Sequence, residues 1–88
     1  MVHRQLTISN RLGLHARAAA QLVSLSNSFQ SNSVLKCGNQ EVNANSIIAI
    51  MLLAATQGSV VDIMVEGEDE IEHLEALETL IADKFNEE

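Results

Sequence analysis

The sequence predicts an α+β fold, with strands and helices in the order β-α-β-β-α-β-α and the helices on one face of a sheet. Two kinds of pattern carry this prediction. Some segments alternate apolar and polar residues, as half-buried strands do, and others repeat apolar residues at helical spacing. Glycine, asparagine and serine punctuate the boundaries between them. One-sided strands and one-sided helices bury each other, which leaves the other face of the sheet to solvent.

The elements follow in order. Val2, Leu6 and Ile8 share one parity and His3, Gln5 and Thr7 the other, which reads as a strand with His3 facing solvent. Gly13 breaks the chain, and a helix is expected from Ala16 to about Ser28, with Ala19, Leu22, Val23 and Ser26 as its buried stripe. Val34 to Cys37 and Gln40 to Asn43 are two short strands around Gly38-Asn39, and glycine at the first central position suits a type II′ turn. Ser46 is a natural N-cap for the next, short helix, with Asn45 as its rival. Val61, Ile63 and Val65 alternate with Asp62, Met64 and Glu66 in a last strand between Gly58 and Gly67. Asp69 is expected to cap the final helix, with Glu72 as its capping-box partner. Ile71, Leu74, Leu77 (or Leu80), Ile81 and Phe85 would form that helix's buried stripe. His73, among Asp69, Glu70, Glu72 and Glu75, reads as a surface histidine on an acidic, solvated face. No cysteine or second histidine lies near enough to complete a metal-ligand set there.

Bulk properties narrow the class. The chain of 88 residues is enough for one small domain, 1–88. Its 47% hydrophobic and 19% charged residues mark a globular balance. With no Trp, Tyr or Pro, the core must come mainly from Leu, Ile, Val, Ala and Met. A net charge of -7 argues against nucleic acid and against anionic membranes. Cys37, the lone cysteine, implies a buried thiol and a reducing compartment. The N-terminus lacks an apolar signal core, and the longest apolar run, Ile47 to Ala55, falls far short of the roughly 20 residues that span a bilayer. A cytoplasmic protein is expected.

The informative stretch for chemistry is Gly13-Leu14-His15-Ala16-Arg17-Ala18-Ala19-Ala20. It places His15 at the start of a helix, where unpaired N–H groups and a partial positive charge make an anion site. Arg17 adds a fixed cation with a two-pronged fork. The positive helix end also favours a neutral imidazole, which is a nucleophile. Taken without further context, a single histidine in this place is most often a surface residue or a cap.

This segment resembles the phosphorylation site of the HPr family of phosphocarrier proteins, and the resemblance spans essentially the whole chain. A second family segment is similar to Asn45-Ser46-Ile47-Ile48-Ala49-Ile50-Met51. The resemblance implies an open-faced β-sandwich, a four-stranded antiparallel sheet with three helices on one face. It implies a covalent carrier rather than an enzyme: His15 takes a phosphoryl group on Nδ1 from enzyme I, itself charged by phosphoenolpyruvate. The group then passes to an enzyme II component of the IIA type. Arg17 matches the phosphate-stabilising arginine. Ser46 matches a position that a dedicated kinase/phosphorylase modifies in some members, and a plain N-cap is the equal alternative. Ala16, Ala20, Ile47, Ile48 and Met51 match the partner-docking patch. The resemblance implies no cofactor, no metal, no nucleic-acid or membrane partner, and a monomer.

The chain also departs from the family. The usual proline one residue after the arginine is replaced by Ala18, which supplies a backbone N–H that proline lacks. Ser24, Asn27 and Ala49 stand where enteric sugar-type members carry lysines, and the Asn43-Ala44-Asn45-Ser46 segment is closer to nitrogen-type members and to relatives that combine serine and histidine control. Two other functions remain as expectations: a regulatory protein that docks partners without relaying phosphate, and a small-molecule sensor, which would need a polar-lined pocket.

Overall fold

The computed structural model describes residues 1–87. Strands β1 (Val2–Thr7), β2 (Asn32–Cys37), β3 (Gln40–Asn43) and β4 (Val60–Glu66) form one sheet in the order β1-β4-β2-β3, with every neighbouring pair antiparallel. Helices α1 (Ala16–Asn27), α2 (Ile47–Leu52) and α3 (Glu70–Ala82) complete the expected order of elements. β4 lies between β1 and β2 and contributes the centre of the core, because Val61, Ile63 and Val65 all point to the helices and are fully buried. The opposite parity forms the open face, where Gln5, Asp62, Lys36 and Glu41 lie in register across all the strands.

The β2–β3 hairpin turns at Gly38 with φ 62, while Asn39 is not among the positive-φ residues, as a type II′ turn requires. Helix α1 buries Ala18, Ala19, Leu22 and Ser26, and Val23 is only half-buried. The core is aliphatic apart from Phe85, and it takes no methionine: Met51 is exposed and Met64 lies on the open face. Cys37 is half-buried at the end of β2, packed against the edge of the core rather than enclosed as its solitary status implied.

The third helix differs most from expectation. Asp69 stands at its N-cap position without making the capping bond. Its carboxylate instead accepts from the Gln30 and Ser31 amides at 2.9 and 2.8 Å, which lie just beyond the end of α1. Those amides have no ladder partner, so they draw the carboxylate away from its own helix. Hydrogen bonding with Ser31, and then with the Gln30 amide, outweighs burial and holds the Asp69 carboxyl down to about 2. The proposed box partner Glu72 is exposed, and Glu70 accepts from the Gly67 amide. Ile71 is also exposed, because the buried stripe is His73, Leu74, Leu77 and Ile81. Ile71 lies two residues, or about 200°, from His73 around the helix.

His73 is therefore not a surface residue. Its ring is fully buried, stacks on Phe29 with centroids 4.6 Å apart, and meets the Ser31 hydroxyl through Nδ1 at 2.8 Å. The helix ends at Ala82, before Phe85, which nevertheless reaches the core from a separate turn, Lys84–Asn86. No helix among the described residues is long and apolar enough to cross a membrane.

Burial pushes the His73 ring below its ordinary value of 6.5, and the Asp69 carboxylate only partly opposes this. A ring harder to protonate when folded stabilises the protein fully above the unfolded value and progressively less as pH falls toward the folded one. The melting temperature should therefore fall as pH drops below 6.5, and His73→Phe should flatten that part of the curve. The loss of the Asp69 interaction between about 4 and 2 should persist in the variant. Melting curves from pH 8 to pH 3 on both proteins check this, and parallel curves would refute the His73 assignment.

Candidate functional site

The site is built on the segment between β1 and α1. Ile8 and Asn10 are fully buried at its start, and two bonds join Ile8 to the α2–β4 connection: its amide to the Ser59 carbonyl and the Gly58 amide to its own carbonyl. Leu14 donates to the Ala55 carbonyl at 2.9 Å. Gly13 makes that approach possible. Its φ is +65, and a Cβ there would lie 2.4 Å from the Ala55 oxygen and 2.8 Å from the Thr56 Cα. Glycine is thus required both by the backbone angle and by the neighbouring chain.

His15 is the N-cap of α1, with extended backbone, and its Nδ1 accepts from the Arg17 amide at 3.3 Å. Its carbonyl accepts the first helical bond, from Ala19 at 2.8 Å. The amides of Ala16, Arg17 and Ala18 therefore belong to the first turn, where the helix dipole is positive. The helix carries no acidic residue in that turn. Ala18 itself is fully buried, so its methyl packs inward and the site meets only its backbone. Arg17 is exposed and lines an open groove with Arg11, Leu12, Asn86 and Glu87.

The sequence did not point to Asn10 or Glu87. The Asn10 amide nitrogen donates to the Gly13 carbonyl at 2.8 Å and to Glu87 Oε1 at 3.2 Å. The other Glu87 oxygen meets His15 Nε2. Burial alone would push the Glu87 carboxyl up; the hydrogen bonds from His15 and Asn10 and the charges of His15 and Arg17 outweigh it and hold it below its ordinary value. The only signal in the sequence was the presence of acids near the C-terminus, which elsewhere marks a solvated tail.

Ser46 is the N-cap of α2, and its hydroxyl accepts from the Ala49 amide at 3.2 Å, so Asn45 does not serve. Helices α1 and α2 run antiparallel. Ala55 meets Leu14 at one end; at the other Ser33 bonds both Ser26, side chain to side chain, and the Ala44 amide. Met51 is therefore toward the His15 end of α2 and Ile47 toward the far end. Ile47, Ile48 and Met51 are exposed, Ile48 by 71%, beside exposed Ala16 and half-buried Ala20 of α1. Leu52, 68% exposed and one turn beyond Ile48 in α2, extends this apolar surface beyond the residues that the sequence singled out, and Leu12, at 64%, is exposed in the groove beside Arg17. No group of metal-ligating side chains occurs among the described residues.

Together, an open-faced α+β sandwich and a histidine at a helix N-terminus, flanked by an arginine and an exposed apolar face, define a phosphocarrier class of protein. Residues 2–83 match the family model described as PTS HPr component phosphorylation site, and the chain belongs to this HPr family of phosphocarriers of the phosphotransferase system, which are carriers rather than enzymes. The chain is 49% identical over 87 residues to the phosphocarrier protein HPr of Xylella fastidiosa (strain Temecula1), covering 99% of this chain and 98% of that one. The crystal structure of HPr-C-His from Thermoanaerobacter tengcongensis superposes with a TM-score of 0.95 at 44% identity, covering 100% of this chain and 99% of the other. A structure of an HPr dimer from the same organism gives a TM-score of 0.77 at 44% identity, covering 97% and 98%.

Gly13→Ala should destabilise the protein by about 2–4 kcal/mol, combining a left-handed alanine with a clash against Ala55. Urea unfolding measures the loss, and a change below about 0.5 kcal/mol would show that the α2–β4 connection yields freely.

Proposed function

We propose that His15 accepts a phosphoryl group from enzyme I and passes it to an enzyme II component of the IIA type. The observation that carries this is the position of Nδ1, at the N-cap of α1 and against the first-turn amides. As the donor's bond to phosphorus breaks and the Nδ1–P bond forms, the Arg17 amide that now touches Nδ1 comes to face the phosphoryl oxygens. The Arg17 guanidinium, exposed on the same turn, adds a permanent cation. Such a site supplies charge stabilisation and positioning, which phosphoryl transfer chiefly requires.

Partners dock on the face of Ala16, Ala20, Ile47, Ile48 and Met51, an exposed apolar surface of the kind that marks protein contacts. One chain supplies every group, so a monomer suffices, and the setting is cytoplasmic. Phosphorylation of Ser46 by a kinase/phosphorylase would regulate docking, because it adds negative charge at the start of the helix that bears Ile47 and Ile48.

Incubation with phosphoenolpyruvate and enzyme I, followed by intact mass, should show one acid-labile phosphoryl group on the wild type and none on a folded His15→Ala variant. Labelling of that variant would place the phosphoryl group elsewhere.

Ile48→Asp should weaken enzyme I binding at least tenfold while changing stability by less than about 1 kcal/mol, since an exposed carboxylate escapes desolvation. Titration and urea unfolding separate the effects. Unchanged affinity, or global unfolding, would remove Ile48 from the docking face.

A further inference from the structure

We propose that Glu87 is a positioning residue for His15, holding the ring proton on Nε2 so that Nδ1 presents its lone pair to phosphorus. The inference rests on His15 as the phosphoryl acceptor and extends it to the control of which ring nitrogen is free. Two contacts on opposite sides of the ring require the same tautomer. The Arg17 amide can only donate, so Nδ1 is an acceptor; the Glu87 carboxylate can only accept, so Nε2 carries the hydrogen. The carboxylate is the more enclosed partner, with its side chain 9% exposed against 23% for the ring.

The tail is shaped to deliver this carboxylate. Lys84, Phe85 and Asn86 all have positive φ, of 56, 54 and 60, a left-handed turn that side chains rarely adopt in succession. Phe85, only 1% exposed, anchors the turn in the core. Buried Asn10, which also binds the Gly13 carbonyl beside His15, grips the second Glu87 oxygen. The acid is thus fixed to the segment that carries the histidine.

The chemistry balances without a proton relay. The neutral ring attacks through Nδ1, the donor's bond to phosphorus breaks, and the hydrogen stays on Nε2. The product ring is a phosphoimidazolium whose positive charge faces the Glu87 carboxylate, while the phosphoryl oxygens face the helix. When the group leaves for the next acceptor, the Nδ1–P electrons return to Nδ1, and the ring becomes neutral again with its proton still on Nε2.

The test compares wild type, Glu87→Ala and Glu87→Gln. Nitrogen-15 NMR of the neutral His15 ring reads the tautomer directly, and intact-mass time courses with phosphoenolpyruvate and limiting enzyme I read phosphoryl acceptance. In Glu87→Ala the Nδ1–H fraction should rise at least threefold and the transfer rate at saturating carrier should fall three- to tenfold, with Phe85 still packed. Glu87→Gln, which keeps an acceptor oxygen without the charge, should lie between. A tautomer ratio or a saturated rate unchanged in Glu87→Ala overturns the proposal. Failure of the carrier reading is seen separately, as a wild type that takes no phosphoryl group while its tautomer still responds to Glu87→Ala.

Discussion

The contact between Leu14 and Ala55 is the constraint on which the site depends. It joins the segment before α1 to the segment after α2 through a backbone hydrogen bond of 2.9 Å, beside a glycine that has no room for a Cβ. The net value of one such bond is only about 1 kcal/mol. Its structural effect is larger, because it sets where α1 begins. His15 becomes the N-cap, its Nδ1 faces the first-turn amides, and α2 is brought alongside with its apolar side turned outward.

The C-terminal turn offers a comparison of magnitudes. Left-handed backbone costs about 1–2 kcal/mol for each ordinary residue. Burying a phenylalanine contributes about 1.5–3 kcal/mol. Three such residues cost about 3–6 kcal/mol, so Phe85 offsets only about half of the strain in its own turn, and the bonds of Glu87 to Asn10 and His15 contribute to the remainder. The tail is held from both ends, by a ring in the core and by an acid at the site.

Much of the fold was legible in the residues. Period-2 alternation located β1 and β4, and the stripe of Ala19, Leu22 and Ser26 located α1 to within a residue. The hairpin glycine and the Ser46 cap were equally clear, because turn and cap chemistry act over a few residues and depend little on the rest of the chain. The errors gathered in α3. Asp69 and His73 were assigned from neighbours within one helix, whereas their surroundings come from Phe29, Gln30 and Ser31, some forty positions earlier, and Ile71 is left exposed on another side of the helix. An acidic helix reads as solvated unless a distant segment has unpaired amides to offer a carboxylate.

By itself the sequence determined the order of elements, the start of α1 at a histidine, and an arginine in its first turn, since these follow from local periodicity and the run from Gly13 to Ala20. Tertiary structure alone decided that Glu87 meets both His15 and Asn10, because residues 72 and 77 positions apart meet only when the sheet and helices have closed. It also decided that His73 is enclosed and that Ile48 is not. Both choices turn on which face of a helix finds a partner. Helical spacing specifies that residues share a face, but not what covers it.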